Sequence, residues 1–182
     1  MFIDTHAHVN FSAFKKDEKE VILRSLEEET WMILVGSDYK TSKRALELAN
    51  KYEKGVYAAV GLHPIHTHET KAEGDDYNLI TKAEEFNYDN YEKLAKFEKV
   101  VAIGEIGLDY YHIDYNGNVA EIKKGQKDIF TKQLELARNL DLPVIIHCRQ
   151  AHDDMAALLK NFKKENKELF KKNKPWGVMH CF

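Results

Sequence analysis

MFIDTHAHV, residues 1–9, is the stretch that decides the fold, because an apolar strand pattern here carries two histidines in alternate positions. Alternate side chains of a β-strand point to the same face. His6 and His8 therefore share one face with Asp4, and small apolar residues share the other. That division fits a strand of a β/α barrel, in which one face looks into the mouth and the other meets helices. Two imidazoles placed in this way can chelate a metal ion; a pair that only forms hydrogen bonds is the alternative.

The composition indicates one globular domain with a real core. The chain has 182 residues, 43% of them hydrophobic, and no apolar run is long enough to span a bilayer. The formal net charge of −3 argues against a surface that traps nucleic acid electrostatically. We expect a single domain over residues 1–182, short at its C-terminus and without a membrane partner. Because the first strand begins at residue 2, we expect no cleaved leader and an intracellular protein, cytoplasmic or nuclear.

The two cysteines, Cys148 and Cys181, each follow a histidine directly at the end of a predicted strand. Strand alternation places both thiols on the face opposite the histidines, toward the helices. We therefore expect buried, reduced cysteines with no disulfide partner, and the same geometry disfavours a thiolate zinc site.

Six apolar segments are predicted to be strands, and they alternate with amphipathic helical patterns. The strand segments are 2–9, 31–37, 56–62, 100–108, 144–149 and 176–182, and the helical segments are 17–29, 41–52 (capped at Thr41 or Ser42), 91–98, 127–139 and 153–170. The acidic stretch 67–90 is expected to have helical content. The lysine-rich stretch 163–174 is interpreted as a solvated helix end, with a DNA contact as the alternative.

This alternation places the chain in the α/β class, with a parallel sheet and right-handed crossovers. We predict a TIM-type (β/α) barrel that is incomplete, with six recognisable strands of eight, because a complete barrel needs about 250 residues. Either the last two β/α units are missing from the sequence, or the sheet stays open. An open barrel would leave the sixth strand as an exposed edge.

Polar side chains gather at the predicted carboxyl ends of the strands, where barrel active sites are built. They are His6 and His8 on the first strand, Glu105 on the fourth, His147 on the fifth and His180 on the sixth. Imidazole nitrogen and carboxylate oxygen suit Zn, Mn or Fe, and with fewer histidines would suit Mg. A glutamate between two pairs of histidines could bridge two ions about 4 Å apart, the geometry of metal-assisted phosphoryl hydrolysis. The sequence therefore predicts a site for two divalent metal ions, Zn, Mn or Mg.

For each of three further residues near this mouth, the sequence allows two predicted roles. His63 could contact a substrate phosphate, or it could fix the turn with Pro64. Arg149 could clamp a phosphate oxygen bidentately, or it could pair with Asp153 or Asp109. Asp109 could instead hold a ligand histidine. The remaining histidines are expected to be solvated: His66, His68, His112 and His152.

The sequence resembles the TatD-like metal-dependent deoxyribonucleases. The segments that carry the resemblance are FIDTHAHVNF (2–11), VGLHP (60–64), AIGEIGLDYY (102–111), 126–154 with its HCR triplet, and GVMHCF (177–182). They run from one end of the chain to the other, and the long segment after His63-Pro64 is closer to the eukaryotic branch of the family.

The resemblance implies a function and a ligand set. His6, His8 and Glu105 would hold one ion, and Glu105, His147 and His180 the other. The implied activity is hydrolysis of phosphodiester bonds in DNA, as a 3′–5′ exonuclease acting on DNA or nucleotides. The family completes its site with an aspartate in a Thr/Ser-Asp motif, and the sequence ends before that position.

Two alternative functions stay open. Amidohydrolases use a similar mouth to cleave C–N or ester bonds, so the protein could be a deacylase acting on a small or tRNA-linked substrate. A lysine carrying a bridging carbamate would favour that reading, whereas Glu105 occupies the bridging position here. The other alternative is an inactive, truncated relic or one completed by a partner. The pattern leaves the oligomeric state open.

Overall fold

The computed structural model describes residues 1–74, 77–81, 83–114, 117–168 and 175–181. The strands within these ranges are β1 (Phe2–Ala7), β2 (Thr30–Val35), β3 (Val56–Val60), β4 (Thr70–Gly74), β5 (Tyr77–Thr81), β6 (Val100–Asp109), β7 (Val144–Arg149) and β8 (Gly177–His180). The helices are α1 (Glu18–Glu27), α2 (Tyr39–Ala49), α3 (Tyr88–Ala95), α4 (Val119–Leu140) and α5 (His152–Glu165). Within these ranges, no helix is long and apolar enough to cross a membrane.

Six strands form one parallel sheet in the order β1-β2-β3-β6-β7-β8. The sheet curls into half of a barrel with helices on its outer side, which confirms the predicted incomplete (β/α) barrel. Since all six strands run in the same direction, their carboxyl ends lie along one rim. This rim is the place where side chains from distant parts of the sequence can meet.

The two faces of the sheet are buried in different ways. The outer face packs against the helices in a large apolar cluster that includes Leu34 and Ile103. The inner face carries a small separate cluster made by Val35, Ala59, Ala102 and Ile145. Because strand residues alternate between faces, His147 follows Ile145 on the inner face. The inner cluster therefore lies directly below the rim that carries the histidines.

The sheet has two open edges, as expected for an unclosed barrel. Phe2 and Ile3 on β1 are 75% and 52% exposed, and Val178 on β8 is 47% exposed. The edge position also explains Cys181, which was predicted to be buried and is exposed. Cys148 lies on the interior strand β7 and is buried, as predicted, and both thiols are free.

The prediction of helical content in residues 67–90 is wrong for most of that stretch. β4 and β5 form an antiparallel hairpin in which Thr70 pairs with Thr81, and helix α3 begins only at Tyr88. The aromatic and β-branched residues of YNLIT favour extended structure, which explains the strand. The excursion closes at its base, where the backbone N–H of Glu84 donates to the carbonyl of His66 at 2.8 Å.

Helix ends differ from the prediction where a capping side chain decides them. α2 is capped by Asp38 rather than by Thr41 or Ser42: the Asp38 carboxylate accepts from the Thr41 backbone N–H at 2.7 Å. α4 starts eight residues before the predicted residue 127, because the Asn118 side chain caps it. α5 ends at Glu165, and the predicted continuation through 169–174 lies outside the described residues.

Candidate metal centre

Glu105 lies at the centre of the candidate site and is only 4% exposed. Four imidazoles from four strand ends surround its carboxylate. The nitrogen–oxygen distances are 3.1 Å from His6 Nε2, 3.4 Å from His63 Nε2, 3.0 Å from His147 Nδ1 and 2.5 Å from His180 Nε2. The residues predicted from the strand ends therefore do meet at one point of the rim.

Two glycines on either side of Glu105 let β6 approach β7 closely. A Cβ atom at Gly104 would lie 2.6 Å from the Ile145 Cβ, and one at Gly107 would lie 1.9 Å from the His147 carbonyl oxygen. Gly107 also has a φ of +147°, a backbone conformation that residues other than glycine rarely adopt. The spacing of the sequence GEIG thus has a mechanical reason: it brings the carboxylate and the β7 histidine together.

His6, His8 and Glu105 form the first group of donors, with ligand atoms within 4.8 Å of one another. The two Nε2 atoms of the histidines are 3.2 Å apart. His8 Nδ1 lies 3.1 Å from the Val35 carbonyl oxygen, an acceptor, so this nitrogen carries the hydrogen. The Nε2 lone pair of His8 is thereby left facing its neighbours, as a metal ligand requires.

His63, Glu105 and His147 form the second group, and all three are buried. The family resemblance implies His180 in this role, and the sequence leaves His63 in a turn or at a substrate phosphate. His63 does fix the turn, since its Nδ1 accepts from the Ile65 N–H at 3.1 Å. Its Nε2 nevertheless points toward Glu105, so His63 also belongs to the candidate metal cluster. His180 contacts the same carboxylate from the edge strand, with 38% of its side chain exposed.

Asp109 extends the cluster behind His147. One of its oxygens lies 3.0 Å from His147 Nε2 and 2.8 Å from His112 Nδ1, and the carboxylate also accepts from the His112 backbone N–H. The prediction that Asp109 could hold a ligand histidine agrees with this geometry. The prediction that His112 is solvated is wrong, because the turn after β6 folds its ring back onto the aspartate. The signal that could have revealed it is the three-residue spacing of DYYH.

The remaining histidines, which lie outside the cluster, differ in their exposure. His66 and His68 are half-buried rather than solvated, and the Thr67 hydroxyl lies 3.2 Å from His68 Nδ1. His152, at the start of α5, is exposed as predicted.

Burial and hydrogen bonding pull the pKa values in the cluster apart. Burial favours a neutral Glu105, but the imidazoles that bond to it outweigh burial and hold its pKa far below the ordinary value. The same balance lowers the pKa of Asp109. Burial would lower the pKa of His147, yet Asp109 and Glu105 raise it to about 9. Burial lowers the pKa of His63 to about 4. In the metal-free protein at neutral pH, two carboxylates therefore share the imidazolium of His147.

This charge distribution fits a divalent cation. Two buried carboxylates face a cluster in which His63 is neutral, and a metal ion would supply the missing positive charge. The donor atoms, imidazole nitrogen and carboxylate oxygen, are those that bind Zn and Mn in proteins.

Arg149, two residues beyond His147, lies at the carboxyl end of β7. Its guanidinium carbon stacks 3.8 Å from the ring centroid of Tyr111. The alternative prediction was an ion pair with Asp109 or Asp153, and in the described part of the chain Arg149 forms neither. Stacking on a ring leaves the N–H groups of a guanidinium available to an anion in its plane.

A half-barrel with a histidine–carboxylate cluster at its carboxyl rim is the arrangement of barrel-type metal-dependent hydrolases. Comparison with known families agrees. The family model described as TatD related DNase matches residues 3–182, and the chain belongs to this family.

Three relatives illustrate the similarity. The uncharacterized metal-dependent hydrolase YabD of Bacillus subtilis (strain 168) is 38% identical over 183 residues, which cover 100% of this chain and 61% of YabD. The 3′-5′ ssDNA/RNA exonuclease TatD of Pantoea ananatis is 32% identical, over 98% of this chain and 59% of that protein. The crystal structure of YjjV, a TatD homologue from Escherichia coli K12, matches with a TM-score of 0.67 and 33% identity, covering 88% of this chain and 55% of YjjV. The chain thus spans about 60% of the length of the first two relatives.

Proposed function

We propose that this protein is a metal-dependent phosphodiesterase that hydrolyses DNA from the 3′ end. The observation that carries the proposal is the buried Glu105 carboxylate held among four imidazoles at the carboxyl rim. Relatives named as metal-dependent hydrolases and as a 3′-5′ exonuclease support the same class. We also propose that this chain is closer to the eukaryotic branch of the family and that the protein is located inside the cell.

The metal ions would be held by two groups that share Glu105. His6 and His8 would complete one group, and His147 with His63 or His180 the other. When bound there, divalent ions (Zn, Mn or Mg) would supply Lewis-acid polarisation of the phosphate and would lower the pKa of a water molecule toward ~7. The side chains around the ions would orient the ligands and bind the substrate.

Asp109 sets the tautomer of His147. An ionised carboxylate only accepts, so the hydrogen of His147 Nε2 points at Asp109, and Nδ1 is the nitrogen that faces Glu105. In the metal-free protein Nδ1 is protonated as well, consistent with the raised pKa of His147. That proton has to leave before Nδ1 can bind a metal ion, so metal affinity should fall as pH is lowered.

Arg149 would bind the substrate phosphate. The guanidinium is fixed by its stack on Tyr111, two residues beyond His147, and its fork of N–H donors matches two phosphate oxygens. It would neutralise charge that develops on those oxygens during hydrolysis. The formal net charge of −3 implies few further phosphate contacts, which favours a strand end over tight binding of a long duplex.

The proposal is tested with a short single-stranded DNA labelled at either end and incubated with Mn, Zn or Mg. The expected result is a metal-dependent ladder that shortens the 5′-labelled strand one nucleotide at a time. Glu105→Gln serves as the inactive control. Cleavage of amide or ester substrates, with DNA left intact under every metal, would instead favour the deacylase alternative.

A further inference from the structure

A groove next to the candidate metal centre has no role in the function proposed so far. It has a volume of about 740 Å³ and runs between the loop after β1 and the start of α2. Phe11 forms the end nearest the metals, since its ring centroid lies 4.4 Å from that of His8. The groove therefore opens directly beside the first group of metal ligands and at the same rim of the sheet.

The charges that line the groove are unevenly compensated. Arg44 donates to both oxygens of Glu18 at 2.6 Å, and Lys43 lies 4.0 Å from Glu47. Two other cations, Lys15 and Lys40, line the groove and form no ion pair within the described residues. Asp38 also lines the groove, so its four cations face three carboxylates, and one net positive charge remains for an anionic ligand.

The floor of the groove is a built structure. The amide of Asn10 donates to the Val35 carbonyl at 3.0 Å and to the Thr41 carbonyl at 3.1 Å, which ties together the two elements that form the walls. Asn10 is 5% exposed, and its Oδ1 has no hydrogen-bond donor among the described residues. The hydrogen bonds of Asn10 therefore fix the position of the groove floor.

We propose that this groove is a nucleotide subsite, which holds the nucleotide next to the bond presented to the metals, with its base unpaired. The inference rests on the proposed nuclease function and assigns residues to its substrate. Phe11 stacks on the base, and Lys15 and Lys40 contact the adjoining phosphates.

The chemistry of these groups selects single-stranded nucleic acid. Aromatic side chains combined with nearby cations are the means by which proteins hold unpaired strands. In a duplex the face of each base is covered by its neighbours, so it is not free to stack on Phe11.

The test is a binding titration of a fluorescent thymidylate oligomer in EDTA, so that neither metal nor hydrolysis contributes. The double variant Lys15→Ala/Lys40→Ala removes the two cations of the groove. Lys16→Ala/Lys19→Ala is the matched control, since it removes the same charge from a neighbouring surface pocket. We expect the groove variant to raise Kd about tenfold and to reduce the salt slope of log Kd by about 1.4, or two single-strand phosphate contacts. Phe11→Leu should raise Kd about tenfold at an unchanged slope.

Equal Kd and salt slope in the groove and control variants would overturn the assignment, as would a parent chain that does not bind the oligomer. Hydrolysis of bis(para-nitrophenyl) phosphate separates this failure from failure of the proposed function. That substrate has neither a base nor an adjoining phosphate, so the groove variant should cleave it at the parent rate. If the parent cleaves it and the groove variants act on DNA like the parent, the nuclease proposal holds and the subsite proposal fails. If the parent shows no phosphodiesterase activity, the nuclease proposal fails, and the metal-free titration still tests whether the groove binds the oligomer.

Discussion

Asp109→Asn is the substitution that tests the organisation of the metal cluster most directly. The asparagine keeps the shape but loses the charge, and its amide can donate to His147 Nε2, which the carboxylate cannot do. The proton of a neutral His147 would then reside on Nδ1, the nitrogen that faces Glu105. A ligand histidine in the wrong tautomer binds metal poorly, and loss of such a supporting partner costs about 10–100-fold in metal affinity or activity.

The structure also sets the size of the effect on stability. The pKa of His147 rises from 6.5 to about 9, and at 1.36 kcal/mol per pKa unit this corresponds to about 3 kcal/mol shared by Asp109 and Glu105. A raised folded-state pKa stabilises fully below the unfolded value, and this contribution is lost as pH rises through the folded value. At pH 6, Asp109→Asn should therefore lower the free energy of unfolding of the metal-free protein by about 1–2 kcal/mol.

Two assays check these expectations. Isothermal titration with Zn measures the affinity and, in buffers of different ionisation enthalpy, the protons released. Urea unfolding in EDTA measures the stability. Asp154→Asn is the matched control. It removes the same charge from a carboxylate that is 41% exposed and that contacts Lys127 and the Tyr110 hydroxyl rather than the histidines. If Asp109→Asn bound Zn with the parent affinity and the same proton release, the tautomer reasoning would be refuted.

Three further predictions follow from the same cluster. Glu105→Gln should reduce metal-dependent hydrolysis of DNA at least about 100-fold while changing the melting temperature by only a few degrees, and full turnover would contradict the shared-ligand role. His6→Ala or His147→Ala should lower the metal bound per chain, measured by elemental analysis; unchanged stoichiometry would rule out the ligand assignment. Metal-free stability should be greatest near pH 6.5, measured by thermal unfolding across pH in EDTA. Above that pH the contribution of His147 is lost up to pH about 9; below it His63, with a folded-state pKa of about 4, binds protons only after unfolding.

The sheet could be predicted because its signals are local. β7 matches its predicted bounds, 144–149, since an apolar run between a proline and a polar loop leaves little freedom. The parity of HxH correctly placed His6 and His8 on one face. The hairpin formed by β4 and β5 was missed because TKAEG of β4 is polar and shows no apolar alternation, although the two strands pair locally, from Gly74 with Tyr77 to Thr70 with Thr81.

The candidate site was predicted in its donors but not in its connections. Glu105, His147 and His180 could be placed from strand ends, yet the inward turn of His63 depends on the 3-10 turn that follows β3. The contact between Asp109 and His112 likewise depends on loop geometry after β6, which no strand or helix period encodes. Side chains on regular elements are thus predictable from sequence, and side chains on turns become visible only when the fold is known.

The hydrogen bond between Glu84 and His66 has a consequence for how much change this part of the chain should tolerate. It brings the two ends of a long excursion side by side, while β3 and β6 pair with each other as if the excursion were absent. The length of this segment is therefore uncoupled from the registration of the barrel. We expect a change in the length of the excursion to leave the rim that carries the candidate metal centre undisturbed, and a foreign peptide could be grafted at the same junction.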